Sequence, residues 1–141
     1  MRVILRLILY LILIICFSCE EQGLFVHCPD CTADEPVSAE LEAKLDYNTN
    51  GTTRVRIYEG NIEDNILFGS FDAYGSTTFY RNVPINKKYT ITATYYVTAS
   101  GKTFIATDSA TPRVKYDKYQ CDDPCYFVYD RVCDLRVKYT N

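Results

Sequence analysis

Polar and apolar residues alternate along most of the chain from Val37 onward. The first clear example is "SAELEAKLD", in which every second position is apolar: Ala39, Leu41, Ala43 and Leu45. Successive side chains of a β-strand point to opposite faces of the sheet, so this period of two predicts a strand with one buried face. The same residues have helix propensity, but the strict alternation outranks it.

Further segments with strand character follow: "TRVRIYEG", "NILFGSF", "STTFYRNV", "KYTITATYYVT", "KTFIATDS" and "PRVKYDKY". The last, "YFVYDRVCDLRVKY", predicts one long strand or two shorter ones. Turn residues separate the segments, among them Asn50-Gly51, the strongest short signal for a hairpin. No window has the period of a helix. About seven short strands at this spacing predict a small, single-domain, all-β sandwich.

The first residues differ from all of this. Arg2 and Arg6 precede or interrupt an aliphatic stretch that ends at Phe17. A positive end followed by an apolar run is the layout of a secretory signal peptide. The run after Arg6 is shorter than the about 20 residues that a spanning helix needs, which disfavours the alternative of an uncut membrane anchor.

The stretch "CFSC" at 16–19 resembles the lipobox of bacterial lipoproteins, with Cys16 where that motif usually has Leu. The resemblance implies that Cys19 is acylated and becomes the new N-terminus. Several acyl chains give stable anchoring, whereas one binds only marginally. Glu20 and Glu21 resemble the acidic tract of surface-exported lipoproteins. We therefore expect a lipid-anchored outer-membrane protein, with display at the cell surface favoured over a periplasm-facing position.

These features divide the chain into a lipoprotein signal peptide (1–18), an acidic tether with a CxxC motif (19–36) and a β-sandwich domain (37–141). Cleavage before Cys19 removes only two charged residues, Arg2 and Arg6, so the mature chain keeps 13 Lys and Arg against 18 Asp and Glu, a net charge of −5. Nucleic acid needs a basic face and is excluded as a partner. The expected partners are the membrane, through the lipid anchor, and another envelope or surface protein.

The segment "YGSTTFYRNVPINKKYTITATYY" at 74–96 resembles part of the transthyretin-like and Cna-B-like immunoglobulin-type sandwiches of bacterial surface proteins. The positions that carry the resemblance are Gly75, Phe79, Val83, Pro84, Tyr89 and Ile91. The resemblance implies an immunoglobulin-like or transthyretin-like fold and a non-catalytic structural or binding role.

Five cysteines follow the lipobox. "HCPDC" contributes Cys28 and Cys31 before the first strand, and "CDDPC" contributes Cys121 and Cys125 before the last. The first and last strands of immunoglobulin-type sandwiches are often parallel neighbours, so we expect the two pairs to meet at one pole. In an exported chain they predict two disulfides, with three possible connectivities. Zinc bound by the same four thiolates is the alternative. Cys133 is expected to be a buried free thiol.

Little in the chain points to catalysis. His27 is the single histidine and has no Ser-Asp partner in pattern. The candidate carboxylates for a hydrolase are scattered along the chain, and solvated loop charges explain them equally well: Glu59, Glu63, Asp64 and Asp72. We therefore expect no enzyme activity and no cofactor. The 13 tyrosines suit strands and binding surfaces, whereas the absence of tryptophan disfavours sugar. The predicted function is an adhesive or accessory module; a glycan- or small-ligand-binding protein and a zinc-binding envelope protein are the alternatives.

Overall fold

A computed structural model describes residues 26–47, 52–97 and 101–137. The predicted signal peptide, the lipidation candidate Cys19, the acidic pair after it and the Asn50-Gly51 turn lie outside the described residues. No helix within these three ranges is long and apolar enough to cross a membrane.

The described chain is built from nine strands, so the expected all-β class is confirmed. They are β1 (Ser38–Lys44), β2 (Thr52–Glu59), β3 (Leu67–Tyr74), β4 (Thr78–Pro84), β5 (Tyr89–Val97), β6 (Lys102–Ala110), β7 (Arg113–Asp117), β8 (Cys125–Tyr129) and β9 (Val132–Asp134). Two short 3-10 helices, Cys28–Asp30 and Ile62–Asp64, complete it. The count exceeds seven partly because the last segment divides at Asp130, whose φ of 54° leaves the extended region.

Two sheets form a sandwich. One has the order β4-β1-β9 and the other the order β3-β2-β5-β6, while β7 and β8 pair separately as a hairpin. All pairs are antiparallel except β1 with β9, the first and last strands, which run parallel. At one side of the sandwich, the backbone N–H of Asp134 in β9 donates to Asp108 Oδ2 in β6 at 2.8 Å.

The core lies between the two sheets, on the faces that the alternation predicted. Leu41, Ala43 and Leu45 from the first sheet are fully buried. They pack with buried residues of the second sheet, including Val55, Ile57, Ile91 and Ala93. A strand slipped by one residue would turn all of these outward, so the apolar pattern fixes the register of β1, β2 and β5.

Two buried tyrosines connect strands through their hydroxyls. The Tyr89 hydroxyl, at the start of β5, donates to the carbonyl of Pro84 at 3.1 Å. This is the arrangement of a tyrosine corner, in which the hydroxyl bonds back to backbone a few residues upstream. The Tyr95 hydroxyl donates to the carbonyl of Leu135 at 3.0 Å and accepts the N–H of Asp46 at 3.2 Å. Tyr95 thereby ties the second sheet to the C-terminal ends of β1 and β9, which lie side by side in the first.

Candidate functional site

The chain segment before β1 lies against the β7–β8 hairpin. Thr32 and Tyr126 exchange two backbone hydrogen bonds, of 2.9 Å and 2.8 Å, as an isolated antiparallel bridge. The N–H of Val26 donates to the side-chain oxygen of Gln120 at 2.9 Å. The cysteine-containing part of the predicted tether is therefore docked on the domain by its backbone as well as by covalent bonds.

Both predicted cysteine pairs meet at this pole, and the two disulfides cross between them. Cys28 is bonded to Cys121 with 5.7 Å between their Cα atoms, and Cys31 to Cys125 with 5.5 Å. Both separations lie in the usual range for a disulfide. Of the three connectivities left open by the sequence, two bond each pair to the other, and the structure has the one that joins the first members, Cys28 and Cys121, and the last members, Cys31 and Cys125. We call these four residues the cysteine cluster.

The four residues of the cysteine cluster differ in solvent exposure. Cys28 is exposed, Cys31 and Cys121 are half-buried, and Cys125 is buried at the start of β8. The Sγ atoms of Cys31 and Cys121, which belong to different disulfides, are 3.9 Å apart. The sulfurs of Cys31, Cys121 and Cys125 all lie within 4.8 Å of one another. Four sulfurs in so small a volume are the main concentration of reactive groups in the described chain.

An aspartate turn shapes the loop that carries Cys121. Asp117 Oδ1 accepts the backbone N–H groups of Tyr119 at 2.9 Å and Gln120 at 2.6 Å. Aspartate favours such turns because its short carboxylate reaches the backbone two or three residues ahead. This role for Asp117, like the docking of Thr32, was missed in the sequence reasoning. The Asp before a short polar stretch was the available signal for the turn.

Cys133 lies apart from the cysteine cluster, in the core. Of the five cysteines that the structure describes, it alone is unpaired, and it is fully buried in β9. Burial, together with the nearby Asp108 and Asp130, raises the pKa of the Cys133 thiol to about 12. The thiol is therefore protonated and unreactive near neutral pH, which confirms the expectation of a buried free thiol.

Three of the four scattered carboxylates, Glu59, Asp64 and Asp72, have local partners. Glu59 pairs with Lys87 at 2.8 Å. Arg54 donates two hydrogen bonds to Asp72, which lower the pKa of that carboxyl. Asp64 Oδ2 accepts the N–H of Asn61 and so caps the second 3-10 helix. Each is engaged at a different point of the second sheet and its loops, which gives no convergent pair of acids from this set.

His27 also lies at the surface. Its side chain is 77% exposed and its Nδ1 is 3.6 Å from Asp30 Oδ2. Asp30 in turn lies 3.5 Å from Arg131 Nη2, so the carboxylate is shared between two partners. The geometry offers His27 no nucleophile to activate.

A polar cleft of about 590 Å³ lies between β6, β9 and the β8–β9 turn. Three acids line it, Asp108, Asp130 and Asp134, together with cationic residues such as Lys44 and Arg136. The carboxylates are used internally: Asp108 accepts from Asp134 N–H, Asp130 from Thr111 N–H, and Asp134 pairs with Arg136. The carboxylates of this cleft therefore serve to connect neighbouring strands and turns by hydrogen bonds.

The outer face of the second sheet carries exposed apolar and aromatic side chains. In register, Tyr96 lies beside Thr103, and Ile105 lies beside Thr94. Tyr74 ends β3 on the same face and is 74% exposed, and Ile105 is 65% exposed. Exposed tyrosine gives rigid apolar area with a polar tip, which suits contact with another macromolecule.

Comparison with family models, with curated proteins and with solved structures finds no match for this chain.

Proposed function

We propose that the protein is a non-catalytic lipoprotein of the cell envelope, anchored in the outer membrane by acyl chains on Cys19. In this proposal its β-sandwich is a surface-exposed structural or protein-interaction module. The observation that supports it most is the pair of disulfides, Cys28–Cys121 and Cys31–Cys125. Disulfides form and persist outside the reducing cytoplasm, which agrees with an export signal at the N-terminus.

The position of the cysteine cluster also suits an anchored domain. Cys28 follows Cys19 by nine residues, a length of chain that spans at most about 30 Å when extended. The pole that carries the disulfides would then face the membrane. A covalently closed pole at the point of attachment suits a module that must stay folded while tethered.

The remaining surface supports interaction more than catalysis. Asp72 and Glu59 pair with basic side chains, and Asp64 caps a turn. Tyr74, Tyr96 and Ile105 instead place apolar area on the outer face of the second sheet. Aromatic residues of this kind are enriched where proteins bind one another.

The test is mass spectrometry of the membrane-extracted protein, with and without Cys19→Ala. We expect acyl mass on an N-terminal Cys19, and loss of both acylation and membrane retention in the variant. Cys16→Ala is the matched control and should remain acylated. A wild-type product that is water-soluble and cut elsewhere would refute the anchor.

Protease added to intact cells tests the display of the same protein. Digestion of the wild type in intact cells supports a surface position, and digestion only after the outer membrane is opened places the domain in the periplasm. Binding to a glycan array would favour the ligand-binding alternative instead of a protein-interaction module.

A further inference from the structure

We propose that the cysteine cluster is also a metal site, which binds one Zn²⁺ through cysteine thiolates when both disulfides are reduced. The same pole of the domain would then be fastened either by two disulfides or by one metal ion. This inference does not depend on acylation or on the partner of the domain, so its failure leaves the proposed function untouched.

The positions of the sulfurs carry the proposal. A tetrahedral zinc–thiolate site has Zn–S distances of about 2.3 Å, which places its sulfurs about 3.8 Å apart. The Sγ atoms of Cys31 and Cys121, which are not bonded to each other, already lie 3.9 Å apart. Cys125 completes a group of three whose sulfurs are all within 4.8 Å. Cys28 is not a member of that group, but its bond to Cys121 places it beside one member, which makes it the candidate for the fourth ligand.

The surrounding backbone holds the ligands together without help from the disulfides. The two hydrogen bonds between Thr32 and Tyr126 join the residues that directly follow Cys31 and Cys125. The Asp117 turn fixes the loop that leads to Cys121. Neither feature is formed by sulfur atoms, so reduction of the disulfides does not remove them directly. The two pairs, C-x-x-C and C-x-x-x-C, also have spacings that zinc sites use.

The chemistry is balanced with a dithiol as the reductant. Each disulfide takes up two electrons and two protons, giving four thiols, while two dithiol molecules become cyclic disulfides. Binding of Zn²⁺ then displaces the thiol protons. Thiolate is a soft ligand that selects zinc over the hard cations magnesium and calcium. Because protons compete with the metal, affinity should fall as the pH is lowered.

The experiment is metal titration of the full chain, purified in detergent, under anaerobic conditions. Reduced wild-type protein should bind one Zn²⁺ per chain, and Co²⁺ in its place should give the visible absorption of tetrahedral thiolate coordination. Oxidised wild type should bind neither. Cys31→Ser and Cys125→Ser should lose the cobalt absorption, whereas Cys133→Ala, which removes the buried thiol of the core, should keep it.

Circular dichroism covers the case in which reduction unfolds the domain. Refolding of the reduced wild type on addition of Zn²⁺, absent in Cys31→Ser, would support the site. Reduced wild type that binds no Zn²⁺, folded or unfolded, would overturn the proposal, as would equal binding by Cys31→Ser.

Discussion

Cys133 and the residues of the cysteine cluster have the same side chain and opposite environments. Cys133, in β9, is buried among apolar side chains. Asp108 and Asp130 lie near enough to disfavour the negative charge of its thiolate. The other four described cysteines lie at one pole, and only Cys125 among them is buried. Environment, and not residue type, decides which thiol is inert.

The raised pKa of Cys133 makes folding stability depend on alkaline pH. An unfolded thiol titrates near pH 9, whereas the native thiol titrates at about 12. The native state therefore holds the proton that the unfolded state loses. The free energy of unfolding should be unaffected by this group below pH 9 and should then fall by about 1 kcal/mol per pH unit up to pH 12.

Urea denaturation of wild type and Cys133→Ala at a series of pH values measures this effect. The difference between the two proteins isolates Cys133, because burial also raises the pKa of Tyr89 and Tyr95 and both remain in the variant. Identical pH dependence in the two proteins would contradict the assignment. Native protein should also resist alkylation at Cys133 until it is unfolded.

At the scale of elements, two tyrosine hydroxyls join pieces of chain that the sheets alone leave separate. Tyr89 fixes the connection from β4 to β5, and Tyr95 links β5 to the ends of β1 and β9. Their rings fill the core, while their hydroxyls satisfy backbone groups that would otherwise be buried without partners.

Phenylalanine substitutions separate ring from hydroxyl. Tyr89→Phe removes one hydrogen bond and should lower the free energy of unfolding by about 0.5–1.5 kcal/mol. Tyr95→Phe leaves both the Leu135 C=O and the Asp46 N–H without their hydrogen-bond partner. It should therefore lower the free energy of unfolding by more, roughly 1–3 kcal/mol. Tyr119→Phe, at a site that is 88% exposed, is the control and should change stability by less than about 0.5 kcal/mol. Equal effects at all three positions would show that the hydroxyls contribute nothing specific.

The strands and their buried faces could largely be predicted from the alternation of apolar and polar residues alone. Ala39, Leu41, Ala43 and Leu45 are buried as the period of two required, and so are Tyr89, Ile91, Ala93 and Tyr95. The division of the strands between sheets could not be predicted, because alternation reports which face is buried and not which strand is the neighbour. The break between β8 and β9 was also left open, since Asp130 at positive φ has no distinctive sequence mark.

The cysteine cluster shows the same limit. The meeting of the two pairs followed from the expectation that first and last strands run side by side, and β1 does pair with β9. The connectivity depends on the docking of Thr32 against Tyr126, a contact between residues 94 positions apart. No local pattern encodes a contact of that kind.

At the scale of the whole molecule, the disulfides close nearly the entire domain into loops. They join residues 93 and 94 positions apart. Such bonds stabilise the native state chiefly by restricting the unfolded chain. The quadruple variant Cys28→Ser/Cys31→Ser/Cys121→Ser/Cys125→Ser opens both loops and should lower the free energy of unfolding by about 2–4 kcal/mol in urea denaturation.

Non-reducing peptide mapping of the wild type should recover Cys28 linked to Cys121 and Cys31 linked to Cys125. Cys133→Ala should give the same map and is the matched control. Linkage of Cys28 to Cys31 would contradict the structure. A quadruple variant as stable as the wild type would contradict the expected stabilisation, because it would mean that closing these loops does not limit the unfolded chain.

The crossed disulfides also determine how the molecule bears tension. A pull on the N-terminal side enters at Cys28 and passes through sulfur directly to Cys121, so the chain from β1 to β7 carries none of it. Only the segment beyond Cys125 stays in the line of force, where β9 is held by its parallel pairing with β1. When the domain is stretched between its two ends, β9 would detach from β1 first, while the part of the sandwich closed by the disulfides would stay folded and would not lengthen.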